Sequence, residues 1–166
     1  VSYQEIGKRI QHFGARCNLG KTLLLAINGG KEEDEGVQVM DPTLFESVDN
    51  EDGSLNYDKV WANFKKAMEN VARVYAKTMY IIHYMHDKYY YEKAQMAFMD
   101  SNYGVDIAYG IAGLSIVADS LSAIRFAKTK AIRDENGVAK SFETEGEFPM
   151  YGNDDDRVDS MAVEVQ

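Results

Sequence analysis

Apolar residues recur along this chain with a helical period over most of its length and with strand-like spacing near its end. From the N-terminal side they fall at Ile6, Ile10, Phe13, Cys17, Leu24 and Ile27, in steps of three, four and seven. That spacing predicts one face of a helix of about six turns. The "INGG" at 27–30 is its predicted stop, because glycine adopts the left-handed cap conformation at no steric cost. Gly7, Gly14 and Gly20 lie inside the same stretch, and each costs a helix about 1 kcal/mol relative to alanine. Such losses point to close packing against another backbone or around a site.

Residues 31–55 combine acidic residues, Pro42 and the turn-forming "NEDGS", and predict a loop. Beyond it Val60, Phe64, Ala67, Val71, Val74, Thr78, Ile82 and Met85 keep helical spacing for about seven turns, from a start near Asn56 or Asp58. Trp61, Met68, Tyr75 and Met79 widen the stripe, so a helix buried on a broad face is expected, with Lys65, Lys66, Glu69 and Arg73 on its polar side. The run "VDIAYGIAG" (105–113) is short, apolar and closed by glycine, which predicts a buried strand. Leu114, Val117, Leu121 and Ile124 then predict a helix. Strand, glycine turn and helix in that order predict the α/β unit of a mostly parallel sheet. "AIRDENGVAKSFETEGEF" predicts a hairpin around Asn136-Gly137, with Glu143, Glu145 and Glu147 sharing one face. Asp154, Asp155 and Asp156 suit the start of a last helix, where negative charge is favoured.

The 166 residues carry a net charge of −9, concentrated in "KEEDE" (31–35) and in 142–159, which read as solvated surface. That balance argues against nucleic acid as partner, since affinity for phosphates comes from Lys and Arg. No apolar run approaches the ~18–20 residues of a membrane span, and no membrane partner is expected. A single cysteine rules out an internal disulfide and fits a reducing, cytoplasmic setting. The chain opens at Val1 and closes at Gln166 inside helical patterns, so a piece truncated at both ends is expected.

Candidate chemistry is sparse. Cys17 lies beside Arg16, but on the apolar stripe and mid-helix, where a thiol behaves as a small hydrophobe. Arg16 falls one turn after Phe13, at the stripe's border. There it could present its fork to a carboxylate, although position alone favours a surface or salt-bridged arginine. His83 and His86 are three apart on a helix, yet a zinc site needs more ligands than these. No metal site is assigned, and satisfied histidines among Tyr84, Tyr89, Tyr90 and Tyr91 are expected instead. "GIAG" (110–113) lacks the lysine and hydroxyl residues of a phosphate loop. "NDDDRVD" lacks the glycine and closing glutamate of a calcium loop and reads as helix capping.

Five stretches taken together change these weights. "FGARCNLGKTLLLAINGG" (13–30), "IIHYMHDKYYYE" (81–92), "GIAGLSIVADSLSAIRFAK" (110–128), "IRDENG" (132–137) and "EGEFPMYGNDDDRVD" (145–159) resemble, in order, the middle-to-late part of pyruvate formate-lyase. That enzyme, also called formate acetyltransferase, is a glycyl radical enzyme. The likeness covers nearly the whole chain, with 31–55 least similar. It implies a fold in the α/β class, with residues 1–166 a helix-rich internal portion of a single catalytic domain built as a ten-stranded α/β barrel.

The resemblance also implies a reaction: pyruvate and coenzyme A become formate and acetyl-CoA. A glycyl radical takes a hydrogen atom from one of two adjacent cysteines, a cysteine thiyl adds to the pyruvate carbonyl, formate departs, and an acetyl thioester remains for transfer. In the family those cysteines directly precede the Val-Ser that here is Val1-Ser2, and the radical glycine lies well beyond Gln166. No catalytic residue is therefore expected in this chain, which alone should be inactive. Cys17 keeps its core reading. Arg16 matches the arginine that holds the pyruvate carboxylate, and Phe13 matches an aromatic lining the same pocket. The family implies no bound cofactor beyond the protein radical, coenzyme A as co-substrate, an S-adenosylmethionine-dependent activating enzyme as partner, and a homodimer. No coenzyme A contact is assigned in "MAFMDSNYGVDIAYG" (96–110). Two alternatives stay open: a glycyl radical lyase preferring 2-oxobutyrate, and a helical binding module without catalysis.

Overall fold

A computed structural model describes residues 15–89, Ala94 and 107–166. They are mixed helix and strand: β1 (Arg16–Asn18), α1 (Leu19–Ile27), a 3-10 turn (Pro42–Leu44), α2 (Tyr57–Lys88), β2 (Gly110–Ala112), α3 (Leu114–Phe126), β3 (Lys128–Arg133), β4 (Ala139–Glu145) and α4 (Asp156–Val165). The chain divides into two compact units, one formed by 1–17 and 72–110, the other by 18–71 and 111–166.

The second unit holds most of the described core. α1 begins at Leu19 because Asn18 caps it, its side-chain oxygen accepting the Lys21 amide at 3.0 Å. The six-turn helix expected from Ile6 is therefore corrected over its described part. Asn18 has extended dihedrals, and Arg16–Asn18 is strand rather than helix. Gly20, in the first turn of α1, lies where a Cβ would meet the Ile116 side chain at 3.4 Å. Close packing was expected of the glycines, and α1 does pack on α3 here. Gly7 and Gly14 lie outside the described residues. Leu19, Leu23 and Ala26 of α1 are buried, as are Val60, Phe64 and Ala67 of α2 and Val117, Leu121 and Ile124 of α3.

The loop 31–55 is ordered by its own polar groups. The carboxylate of Glu32 accepts the amides of Asp34, Glu35 and Val37. Those bonds, the Asp34 amide first, hold its carboxyl below the usual value. Glu33 pairs with Lys21. The acidic run is thus partly a structural clasp. Within the helix that follows, Asn63 is buried and ties the loop down: its amide donates to the Glu46 carbonyl at 2.8 Å, and its oxygen accepts the Glu46 amide at 3.1 Å.

α2 starts where expected and, at 32 residues, runs beyond the seven turns expected, but it lacks the expected broad burial. Beyond Val71, the helix in the first unit exposes Val74, Tyr80, Ile81, Tyr84 and Met85. The buried strand expected over 105–113 also needs correction. Residues 105–106 lie outside the described residues, 107–109 form no regular element, and Gly110–Ala112 is short and largely exposed. β1 pairs with β2, and α3 leads into an antiparallel hairpin of β3 and β4.

That hairpin follows its sequence. Asp134 accepts the amides of Asn136 and Val138, each at 2.9 Å, and Gly137 takes the positive φ of 76° that the turn requires. The register sets Lys130 opposite Glu143 and Lys128 opposite Glu145, so the glutamate face meets opposite charge across the strands. α4 starts as expected. Asp155 caps it by accepting the Arg157 amide, and Val158 and Ala162 pack with Ala118 of α3.

Candidate functional site

Of the two residues that the sequence put forward for substrate binding, Phe13 lies outside the described residues and Arg16 sits on β1 in the first unit. A strand alternates its side chains between two faces. Here Arg16 is exposed and Cys17 half-buried. This corrects the mid-helix placement of both residues and with it the one-turn argument linking Arg16 to Phe13. The Arg16 guanidinium makes no ion pair among the described residues.

What surrounds the stem of Arg16 is closely built. Gly110 lies so near that a Cβ there would stand 3.0 Å from the Ala15 carbonyl oxygen and 3.0 Å from Arg16 Cγ. Tyr75, projecting from α2, donates its hydroxyl to that same Ala15 carbonyl at 2.6 Å, and its oxygen accepts the Gly110 amide at 3.3 Å. The Tyr75 ring meets the Tyr109 ring edge-on, with centroids 5.2 Å apart and planes at 82°, an arrangement favoured by the ring quadrupoles. Loss of solvation around the Tyr109 hydroxyl, then the neighbouring Tyr80 and Tyr75, raises its pKa above the ordinary tyrosine value. The cluster carries no charged side chain, its Tyr109 ring is itself exposed, and Arg16 beside it is exposed too.

Sequence reading placed Tyr75 on an apolar stripe and Gly110 in a weak phosphate turn. Neither was assigned to Arg16. The tyrosine hydroxyl's partners are 60 and 35 residues away, beyond the reach of any periodicity. The doubled glycine around β2 was the available signal. Gly110 admits close approach, and Gly113, at φ 88°, turns the chain into α3.

The histidines are not brought into a ligand set. The His83 and His86 rings are 6.4 Å apart, and no group of three or more potential ligands occurs among the described residues. Both ring nitrogens of His83 are buried with no hydrogen-bond partner among the described residues, where a satisfied His83 was expected. Tyr90 and Tyr91 lie outside the described residues. The second unit holds a cavity of about 460 Å³ between α1, α3 and the hairpin, with apolar walls that include Leu23, Ile116 and Phe142 and a polar lining that includes Asn18, Lys21 and Glu33. Nothing in the sequence reading foresaw it. Among the described residues no helix is long and apolar enough to cross a membrane.

Comparison with known proteins bears on the whole chain. The "PFL-like enzyme TdcE" of Escherichia coli (strain K12) is 51% identical over 167 residues, covering 99% of this chain and 21% of that protein. The chain thus spans about a fifth of the length of this relative. A family model described as "Pyruvate formate lyase-like" matches residues 1–166 from end to end. With that match running the length of the chain, it belongs to the pyruvate formate lyase-like family.

Proposed function

We propose that this chain supplies the carboxylate-binding arginine of a glycyl radical 2-oxo acid lyase, the reaction being pyruvate plus coenzyme A to acetyl-CoA plus formate. The observation that carries the reading is Arg16: an exposed residue with no ion pair among the described residues, directly after Ala15, whose carbonyl accepts the hydroxyl of Tyr75, which in turn accepts the Gly110 amide. The cysteines and radical glycine that supply the bond-breaking chemistry belong to the longer protein. This chain's part is positioning. A planar fork takes both carboxylate oxygens at once and fixes the direction of the adjoining C–C bond. The same carboxylate leaves as formate, so its charge stays matched throughout. Phe13 joins the reading through the family resemblance alone, as an aromatic of the same pocket. The ten-stranded barrel, the homodimer, the cytoplasmic setting and the S-adenosylmethionine-dependent activating enzyme belong to the same proposal.

The test uses the full-length, radical-activated protein. Arg16→Lys keeps the charge and loses the fork. It should lower kcat/KM for pyruvate by roughly 10- to 150-fold, the equivalent of about 1.5–3 kcal/mol for a charged hydrogen-bonded pair. The KM for coenzyme A and the radical content by electron paramagnetic resonance should not change. An unaltered kcat/KM for pyruvate would sink the reading. The same assay with 2-oxobutyrate reads the preferred acyl length, since one methylene is worth about 1–3 kcal/mol in a pocket.

A further inference from the structure

We infer that Tyr75 and Gly110 are positioning residues that set the placement of Arg16, and through it the affinity for the 2-oxo acid. The inference rests on the proposed role of Arg16 and goes a step beyond it, to what holds that arginine in place. Arg16 lies on a three-residue strand, too short for its own ladder bonds to fix it, and its side chain is long and rich in rotamers. Two contacts make up the deficit. The Tyr75 hydroxyl donates to the carbonyl of Ala15, the residue immediately before Arg16, while its oxygen accepts from Gly110. One group thereby fastens two distant chain segments together, and the donating and accepting bonds reinforce each other. Gly110 then presents bare backbone to the Arg16 stem, and a methyl there would crowd both Arg16 Cγ and the Ala15 oxygen at 3.0 Å.

Tyr75 is itself restrained. It projects from a 32-residue helix and its ring is braced edge-on by Tyr109. The Ala15 oxygen is backbone and cannot swing aside as a side-chain tip would. A methyl at Gly110 therefore presses the Ala15 carbonyl and the Arg16 stem to give by a few tenths of an ångström. Neither residue is required to touch substrate. Both act by limiting where the guanidinium can stand, and a bidentate contact is sensitive to that.

The experiment is a mutant cycle in the full-length, radical-activated enzyme. Tyr75→Phe removes one oxygen and keeps the ring and its contact with Tyr109. It should lower kcat/KM for pyruvate by about 3- to 10-fold, the worth of a hydrogen bond, with the KM for coenzyme A and the radical signal unchanged. Gly110→Ala should act in the same direction and more strongly. The diagnostic arm is the Arg16→Lys background. A lysine ammonium is a flexible point charge that does not depend on the strand's exact angle, so there Tyr75→Phe should cost less than about 2-fold. A merely structural tyrosine would instead cost the same factor in both backgrounds, and that equality would overturn the inference, as would a Tyr75→Phe enzyme indistinguishable from the parent. Should Gly110→Ala fail to fold, Tyr75→Phe carries the test alone. If Arg16→Lys has no effect, the proposed role of Arg16 fails. If it has its effect and Tyr75→Phe does not, only the present inference falls.

Discussion

The two halves of α2 carry the same apolar spacing and meet different fates. Over 57–71, Val60, Asn63, Phe64 and Ala67 are all buried, Phe64 to 1% exposure. Over 72–88 only Met79 is buried, while Val74, Ile81 and Tyr84 stand 56%, 62% and 63% exposed. Periodicity marks where a helix keeps its apolar side; it does not say what chain returns to cover it. In the first half the cover is visible, because the loop at Glu46 and the end of α1 at Ala26 both bond to Asn63. The second half persists as helix for another reason. It extends a helix already nucleated, and each added residue gains a hydrogen bond without a new nucleation cost.

Large-to-small substitution breaks this comparison most directly. Phe64→Ala should cost about 3–5 kcal/mol by loss of transfer energy and creation of a cavity. Ile81→Ala should stay within about 0.5 kcal/mol, as exposed substitutions do. Urea unfolding of the two variants reads the difference. An Ile81 variant as damaged as the Phe64 one would mean that the second half is covered after all, and the contrast between the halves would be lost.

A finer division runs through Glu46, which α2 holds in two ways. Its backbone amide and carbonyl are bonded by buried Asn63, while its side chain faces Lys66 at 3.8 Å with both groups well exposed. Asn63→Ala removes two part-buried hydrogen bonds to the Glu46 backbone and should cost about 1–3 kcal/mol. Lys66→Ala should cost no more than about 0.5 kcal/mol, since an exposed pair is screened and entropically expensive to order. The same unfolding titration compares them. Equal losses would show that the surface charge, rather than the buried amide, secures the loop.

These contrasts explain which parts of the molecule could be read from its sequence. The hairpin was legible because Asn136-Gly137 and the alternating glutamates impose turn and period locally. α2, α3 and the cap of α4 were legible for similar reasons: long periodic stripes and an acidic N-terminus. Arg16–Asn18 was misread because a step of four from Phe13 to Cys17 continues the helical spacing while Asn18 stops it. A capping residue inside an apparent helix was the overlooked sign. The strand at 110–112 was misread because an apolar run says nothing about whether neighbouring strands exist to bury it. Arg16 itself was singled out by family resemblance, not by spacing. Tyr75 and Gly110 became visible only through contacts across the fold.

α4 supplies the last contrast with the exposed half of α2. Its ten residues are fewer than an isolated helix needs, so it depends on packing against α3 and on the cap at Asp155. Arg157 lies over that cap, its Nε donating to Oδ1 at 2.9 Å and its terminal nitrogen to Oδ2 at 2.6 Å. The Arg157 side chain first, and its amide second, hold the Asp155 carboxyl down at about 2 rather than its ordinary 3.8. A carboxyl lowered on folding contributes stability that is fully present above its unfolded value and is lost as the pH falls through its folded one. The cap should therefore remain intact near pH 5 and weaken between about pH 4 and pH 2. Carbon-13 NMR of the Asp155 carboxyl should show a midpoint near 2, with the Arg157 amide shift following it and the amides of 72–84 in α2 not doing so. Arg157→Ala should move the midpoint up toward the ordinary value, and Asp155→Asn should keep a capping oxygen while abolishing the titration of the Arg157 amide. A midpoint already at the ordinary value in the parent would mean that Arg157 does not grip the cap in solution, leaving packing on α3 as the main support of this short helix.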